Sequence, residues 1–282
     1  MPVTTRRKVL YSMLGCAAAA AYPCYIEPRW LDLSRRRVIL PRLECPVNLL
    51  QLSDLHASEF VSLGMIETAV NLGLSAKPDL ICLTGDFISY RDVPDAAAYA
   101  RILRRLSQAA PTFAVLGNHD GGRWGRDKGF PDHRYVDRVL EMAEIPLLHN
   151  RAVRLEPNGQ PLSLAGVGDV WAGEMKAARA FAGVKAGDHP VVLLSHNPDT
   201  KTYLGQYPWD LMLSGHTHGG QVIIPFYGPP IIPVADLRYL AGLKPWGDRQ
   251  IHVTKGVGNL LGVRFDCRPE VSLLELSPAQ PS

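Results

Sequence analysis

Leu80-Ile81-Cys82-Leu83-Thr84-Gly85-Asp86 is the stretch on which the fold turns. Its four-residue apolar run is too short for a helix and suits a strand buried on both faces, as in a parallel sheet. The run stops in a Gly-Asp turn, which displays a carboxylate at the strand's C-terminal end. The pattern recurs: Val47–Leu52 leads into Ser53-Asp54-Leu55-His56, and Phe113–Leu116 into Gly117-Asn118-His119-Asp120. Val191–Leu194 ends in Ser195-His196-Asn197, and Leu211–Leu213 in Ser214-Gly215-His216-Thr217-His218. Ligands of open α/β sheets bind beyond the carboxyl ends of the strands. These five turns are therefore expected to converge on one crevice.

Segments of helical spacing lie between the early strands: Met65–Ser75, Asp95–Leu106 with Asp95 as N-cap, and His133–Ala143. Val38–Leu40 adds a strand. Strands alternating with helices predict a largely parallel, helix-covered sheet. The second half is richer in strands. Val153–Leu155 and Leu162–Val167 flank Pro157-Asn158-Gly159, a hairpin signal, and short strands are expected at Val222–Ile224, Ile251–Thr254 and Val271–Leu276. Glu174–Phe181 is the clearest helix there. No linker divides the halves, so residues 26–282 read as one domain of two strand-rich layers between outer helices.

Composition narrows the function. The 282 residues are 46% hydrophobic and 20% charged, ordinary globular usage that excludes disordered, collagen-like and many-span membrane chains. The net charge of +3 is too small to argue for nucleic acid. Its distribution is uneven: residues 1–42 carry +6 and the remainder −3. Five cysteines (Cys16, Cys24, Cys45, Cys82, Cys267) without a C-x-x-C pair argue against a disulfide framework or a thiolate zinc site. Metal chemistry, if present, falls to Asp, Asn and His.

Asp54, Asp86 and Asn118 with His56, His196, His216 and His218 form a set of oxygen and nitrogen donors suited to Mn²⁺, Fe or Zn²⁺. Seven donors exceed one four-coordinate ion and fit two that share a carboxylate. Gly85, Gly117 and Gly215 each precede a donor, where a Cβ would not fit. Singly the motifs are weak, since a Gly-Asp turn is commonplace and a D-x-H is often an Asx turn. In this order, at five strand ends, they define a site. His133, His149, His189 and His252 lack that setting and read as structural or surface residues.

Asp54-x-His56, Gly85-Asp86, Gly117-Asn118-His119-Asp120, His196 and Gly215-His216-x-His218 together resemble the motif set of the calcineurin-like metallophosphoesterases. The likeness is closer to the bacterial YaeI-type phosphodiesterases at Gly168-Asp169-Val170-Trp171-Ala172-Gly173, His196-Asn197-Pro198-Asp199, Glu27-Pro28-x-Trp30 and Cys267-Arg268-Pro269-Glu270. The resemblance implies a four-layer α/β/β/α sandwich. It implies that Asp54, His56, Asp86 and His218 hold a first metal, with Asp86 bridging to a second completed by Asn118, His196 and His216. It also puts the catalytic histidine at His119, paired with Asp120. The implied reaction is phosphodiester hydrolysis by a metal-bound hydroxide, with His119 as general acid.

Two alternatives attach to that reading. One is a pyrophosphatase acting on a lipid precursor such as UDP-2,3-diacylglucosamine. The other is a non-catalytic scaffold on the same fold, which would be expected to have lost ligands that this chain keeps. The recognition loops are read at Gly121–Pro131 and Gly168–Glu174, with Arg123 and Trp171 as substrate contacts. The expected partner is a small-molecule phosphodiester, with no nucleic acid. Arg6-Arg7 ahead of the short apolar stretch Val9–Ala21 resembles a twin-arginine export signal, so residues 1–25 read as a signal or anchor. Export across the inner membrane is expected, with membrane-surface association through the N-terminus. The alternative is a cytoplasmic enzyme peripheral to the membrane.

Overall fold

Two sheets stacked face to face organise this computed structural model, which describes residues 7, 8, 11, 21–89, 93–128 and 131–279. The first sheet runs β1 (Asp32–Leu40), β11 (Glu270–Pro278), β2 (Val47–Leu52), β3 (Leu80–Thr84), β4 (Thr112–Val115). The second runs β5 (Arg151–Leu155), β6 (Leu162–Gly166), β7 (Val191–Leu194), β8 (Leu211–Ser214), β10 (Arg249–Val253), β9 (Gly242–Trp246). β2, β3 and β4 pair in parallel, as do β6, β7 and β8, and every residue of β3, β7 and β8 is buried. Continuous burial explains why these strands read as unbroken apolar runs. β11 returns from the C-terminus between β1 and β2, antiparallel to β2.

Helices α1 (Leu63–Leu74), α2 (Ala96–Ala109) and α4 (Arg134–Met142) bury Ile66, Val70, Leu103, Leu106, Val136 and Val139 against the outer face of the first sheet. The Ser62 hydroxyl accepts the Met65 N–H and the Asp95 carboxylate accepts the Ala98 N–H, which satisfies donors that a helix start leaves free. Leu49, Leu80, Val115, Leu164, Val192, Leu213 and Leu274 fill the space between the sheets. The outer face of the second sheet is covered by Phe181, Leu204, Trp209 and Tyr239. The expected four-layer α/β/β/α sandwich is thus present, but its fourth layer is thin, built from one-turn α5 (Ala177–Ala180) and 3₁₀ turns.

Four local expectations need correction. Glu174–Phe181 is helical only over Ala177–Ala180, because Asn150 engages the backbone ahead of it through the Glu174 carbonyl and the Lys176 N–H. Val222–Ile224 is not a strand; Val222 and Ile224 make isolated bridges to Phe265 and Gly228. Gly122–Lys128, read as loop, forms helix α3. β9 escaped the reading because Pro245 lies within it, tolerated at the sheet's edge where one side needs no donor. The 157–159 hairpin turn is as expected, joining antiparallel β5 and β6. β1 is an edge strand with Arg35, Arg36 and Arg37 exposed. No described helix is long and apolar enough to cross a membrane. Most of the 1–25 segment, Arg6 and Cys16 included, lies outside the described residues.

Candidate metal centre

β2, β3 and β4 of one sheet and β7 and β8 of the other deliver their C-terminal turns to the same end of the sandwich. The turns bond to each other. Asp54 N–H donates to the Gly85 carbonyl, His56 N–H to the Asp86 carbonyl, and Gly215 N–H to the His196 carbonyl. The backbone is bent hard to do this. Asp54, His56, Asp86, His216 and His218 all have positive φ, between 48° and 70°. Non-glycine residues seldom adopt that region, and their concentration here marks strain held in place by a site. Gly117 and Gly215 serve by close approach: a Cβ on Gly117 would overlap Asp86 Oδ1, and one on Gly215 would overlap Asp54 Oδ2.

All seven expected donors are buried, none more than 6% exposed. His56 Nε2 lies 3.0 Å from His218 Nε2 and 3.4 Å from Asp86 Oδ2. His218 Nε2 lies 3.4 Å from Asp54 Oδ1, and His196 Nε2 lies 3.1 Å from Asp86 Oδ2. Two nitrogens each about 2.1 Å from one ion at a right angle stand about 3.0 Å apart, so the His56–His218 separation is that of neighbouring ligands. Asp54, His56 and His218 form one such group; Asp54, Asp86 and His196 form another. A single oxygen, Asp86 Oδ2, faces imidazoles of both.

Orphaned polar atoms carry the same message. Asn118 Oδ1, His196 Nε2 and His216 Nε2 are buried without a hydrogen-bond partner. Such atoms cost free energy unless something occupies their lone pairs. The other ring nitrogens are engaged: His196 Nδ1 lies 2.7 Å from the Thr84 carbonyl, and His56 Nδ1 lies 2.6 Å from Ser89 Oγ. A carbonyl only accepts, so His196 carries a proton on Nδ1, which aims Nε2 at Asp86 Oδ2. The donor set and its vacant lone pairs fit a cation centre.

Charge is balanced to match. Burial pushes the His56 and His216 imidazoles down to about 3 and lowers His218 well below its ordinary value, with His56 and Arg264 adding to the effect. Neutral imidazoles are the form that binds metal; His196 differs, held well above its ordinary value against the effect of burial because Asp86 and Asp54 face it. Burial also lifts the Asp54 carboxyl to about 6. The Asp86 carboxyl is held well below the usual range although burial opposes this, because His196, His119 and His56 surround it.

His119 sits beside this cluster. Its ring is edge-on to that of His56 at 5.0 Å, and its Nδ1 is buried without a partner. The Asp120 pairing needs correction. The Asp120 carboxylate does not meet the His119 ring; it accepts the N–H groups of Asp86, Phe87, Ile88 and Gly117. Four amide donors in the turns outcompete an imidazole, and Asp120 holds those turns in shape. Trp171 packs edge-on against His216 at 4.4 Å, Trp124 lies 4.9 Å from Trp171, and together they wall one side. Arg123, the second residue of α3, has an exposed side chain, its N–H donated to the Ala172 carbonyl.

Sequence reasoning missed a supporting group. Arg264 is fully buried and donates to the carbonyls of Lys255, Gly256, Gly258 and Cys267, with a guanidinium nitrogen 3.5 Å from His218 Nδ1. Glu27 accepts the Asp266 and Cys267 N–H groups, and Cys267 Sγ–H donates to the His218 carbonyl. Asp169 accepts the Trp171 and Ala172 N–H groups. The signals were the Glu27-Pro28 and Cys267-Arg268 segments, which link the chain's two ends to His218. The four histidines outside the five turns have structural partners, in keeping with their reading as structural or surface residues: His133 pairs with Asp137, His149 lies 3.8 Å from Glu174, His189 bonds Ser163, and His252 bonds Gln51.

An α/β/β/α sandwich with buried N and O donors at five strand ends defines a dinuclear metal-binding protein of the hydrolase type. The chain belongs to the calcineurin-like phosphoesterase family, whose pattern matches residues 47–220. It is 41% identical over 276 residues to phosphodiesterase YaeI of Escherichia coli K12, covering 96% of this chain and 99% of that one. It is 30% identical to the uncharacterized metallophosphoesterase YkuE of Bacillus subtilis, covering 98% and 99%. It is 27% identical to the UDP-2,3-diacylglucosamine pyrophosphatase LpxG of Chlamydia muridarum, covering 89% and 90%.

Proposed function

We propose that this chain is a dinuclear phosphodiesterase acting on small-molecule phosphodiesters. The observation that carries the reading is Asp86 Oδ2, set 3.4 Å from His56 Nε2 and 3.1 Å from His196 Nε2. On this reading Asp54, His56 and His218 hold one cation, Asn118, His196 and His216 hold the other, and Asp86 is shared. When bound, two divalent cations lower the pKa of water toward about 7 and neutralise charge on the phosphoryl oxygens. Three oxygen donors with four imidazoles suit Mn²⁺, Fe or Zn²⁺.

The chain's own residues supply the rest. His119, beside the donors and with an unpartnered Nδ1, gives a proton to the departing alkoxide. Asp120 acts indirectly, by shaping the turns that carry Asp86 and His119. Trp124 and Trp171 offer ring faces to the organic part of the substrate, and Arg123 offers charge at the rim. Arg6-Arg7 directs the folded chain across the inner membrane; replacing both by Lys should leave the activity in the cytoplasm. Wild-type activity already confined to the cytoplasm would remove that part of the reading.

The likeness to LpxG supports a second reading, cleavage of a pyrophosphate-linked lipid precursor. Turnover of bis(4-nitrophenyl) phosphate with added Mn²⁺, beside a UDP-linked diacyl sugar, tests both. Diester hydrolysis abolished by a chelator supports the first. Turnover of the UDP-linked compound alone moves the assignment to the second.

A further inference from the structure

Val222–Ala235 reads Val-Ile-Ile-Pro-Phe-Tyr-Gly-Pro-Pro-Ile-Ile-Pro-Val-Ala, fourteen residues without a charge. Only Val234 among them is buried. Phe226 is 112% exposed, Tyr227 76% and Ile231 74%, with Ile224 and Ile232 also exposed. Isolated exposed apolar residues are normal, but a contiguous group of five is not.

The segment is built to be displayed. Ile224 N–H donates to the Gly228 carbonyl, and the Tyr227 and Gly228 N–H groups return to the Ile224 carbonyl, closing a tight tip. Phe226 is held at φ 66°, which a non-glycine residue adopts only under constraint. Pro225, Pro229, Pro230 and Pro233 stiffen both arms. The base is anchored by Ile223 N–H to the Phe265 carbonyl, and the Pro233 carbonyl bonds the His216 ring.

What covers the tip is indicated by the chain's other apolar stretch. In the sequence Val9–Ala21 is followed by Tyr22, whose ring packs edge-on against Phe265 at 6.4 Å. Phe265 is the residue bridged to Val222 at the base of the tip. Exposed Tyr25 and Ile26 follow immediately. Exposed apolar side chains thus stand beside the base of the tip, and in the sequence they are preceded by the apolar stretch 9–21 and by Arg6, Arg7 and Lys8. Basic side chains beside apolar ones match an anionic bilayer surface. A pointed projection also suits a deformable medium better than the broad complementary face that two folded copies need, about 800 Å² on each.

We infer that Ile224–Ile232 is a membrane-docking tip that inserts into the interface of an anionic phospholipid bilayer. This stands apart from the phosphodiesterase reading, since its primary readout is partition. Full-length protein is sedimented with vesicles of phosphatidylethanolamine and phosphatidylglycerol at 3:1, as wild type, Phe226→Asp and Ile231→Asp. Wild type should partition, and each variant should partition at least tenfold more weakly with unchanged turnover of a water-soluble diester. In Phe226→Trp, brominated lipid should quench emission beyond the loss seen in wild type. Equal partition of all three proteins, failure of wild type to partition, or a wild-type dimer that the Asp variants dissociate would each overturn the inference.

Discussion

At the scale of single residues, Asp86 has the most to lose. Its Oδ1 accepts the His119 N–H at 2.9 Å, and its Oδ2 faces His56 and His196. Asp86→Ala should therefore empty both cation positions, and two retained equivalents by metal analysis would remove the shared-carboxylate assignment. His119→Ala should keep both equivalents and lose about 10²–10⁴-fold in rate. Its defect should shrink with acidic leaving groups that need no proton; an equal defect across leaving groups would mean that His119 gives none. The donors were legible because each sits two to four residues past an apolar strand, where geometry limits what a polar residue can face. Asp120 was misread because adjacency to His119 in sequence says nothing of where a carboxylate points. Four backbone amides claimed it.

At the scale of elements, two supports separate stability from chemistry. Asp95 caps α2 through the Ala98 N–H and bonds none of the cation donors, so Asp95→Ala should cost about 0.5–2 kcal/mol in urea unfolding and leave metal content unchanged. Arg264 is different, because the loop from Lys255 to Cys267 is wrapped around its guanidinium. Arg264→Lys keeps the charge but cannot reach four carbonyls, at about 1–3 kcal/mol for each acceptor left unpaired. It should also weaken cation binding at His218, read by titration calorimetry. Full stability and affinity in the Lys variant would make the arginine incidental. Buried strands and capped helices were readable because their patterns are periodic and local. The loop around Arg264 was not, since its partners lie as far off as His218 and it has no periodicity.

At the scale of the whole molecule, the two sheets are joined beneath the centre by a polar seam within an otherwise apolar interface. Gln51 of β2 donates to Thr84 Oγ1 and to the Ser214 carbonyl across the sheets, and its Oε1 accepts from His252 Nδ1 of β10 at 2.8 Å. His252 is fully buried, and its Nε2 has no partner. Protonation there would bury a charge that the Glu270 carboxylate offsets only in part, and burial lowers the imidazole from 6.5 to about 4. The sign follows from linkage. Above pH 6.5 both folded and unfolded chains carry neutral His252, and the full stability is present. As pH falls toward 4, the unfolded chain takes up a proton that the folded chain refuses, and stability declines by about 1.4 kcal/mol per pH unit. His252→Asn keeps a donor near the Nδ1 position and removes the titration. Between pH 7.5 and 4.5 the wild type should lose about 2–3 kcal/mol more unfolding free energy than the variant. His56, His216 and His218 are lowered by burial too and add to acid sensitivity in both proteins, so the difference between the two isolates His252. Equal losses would mean that the seam admits a proton when folded.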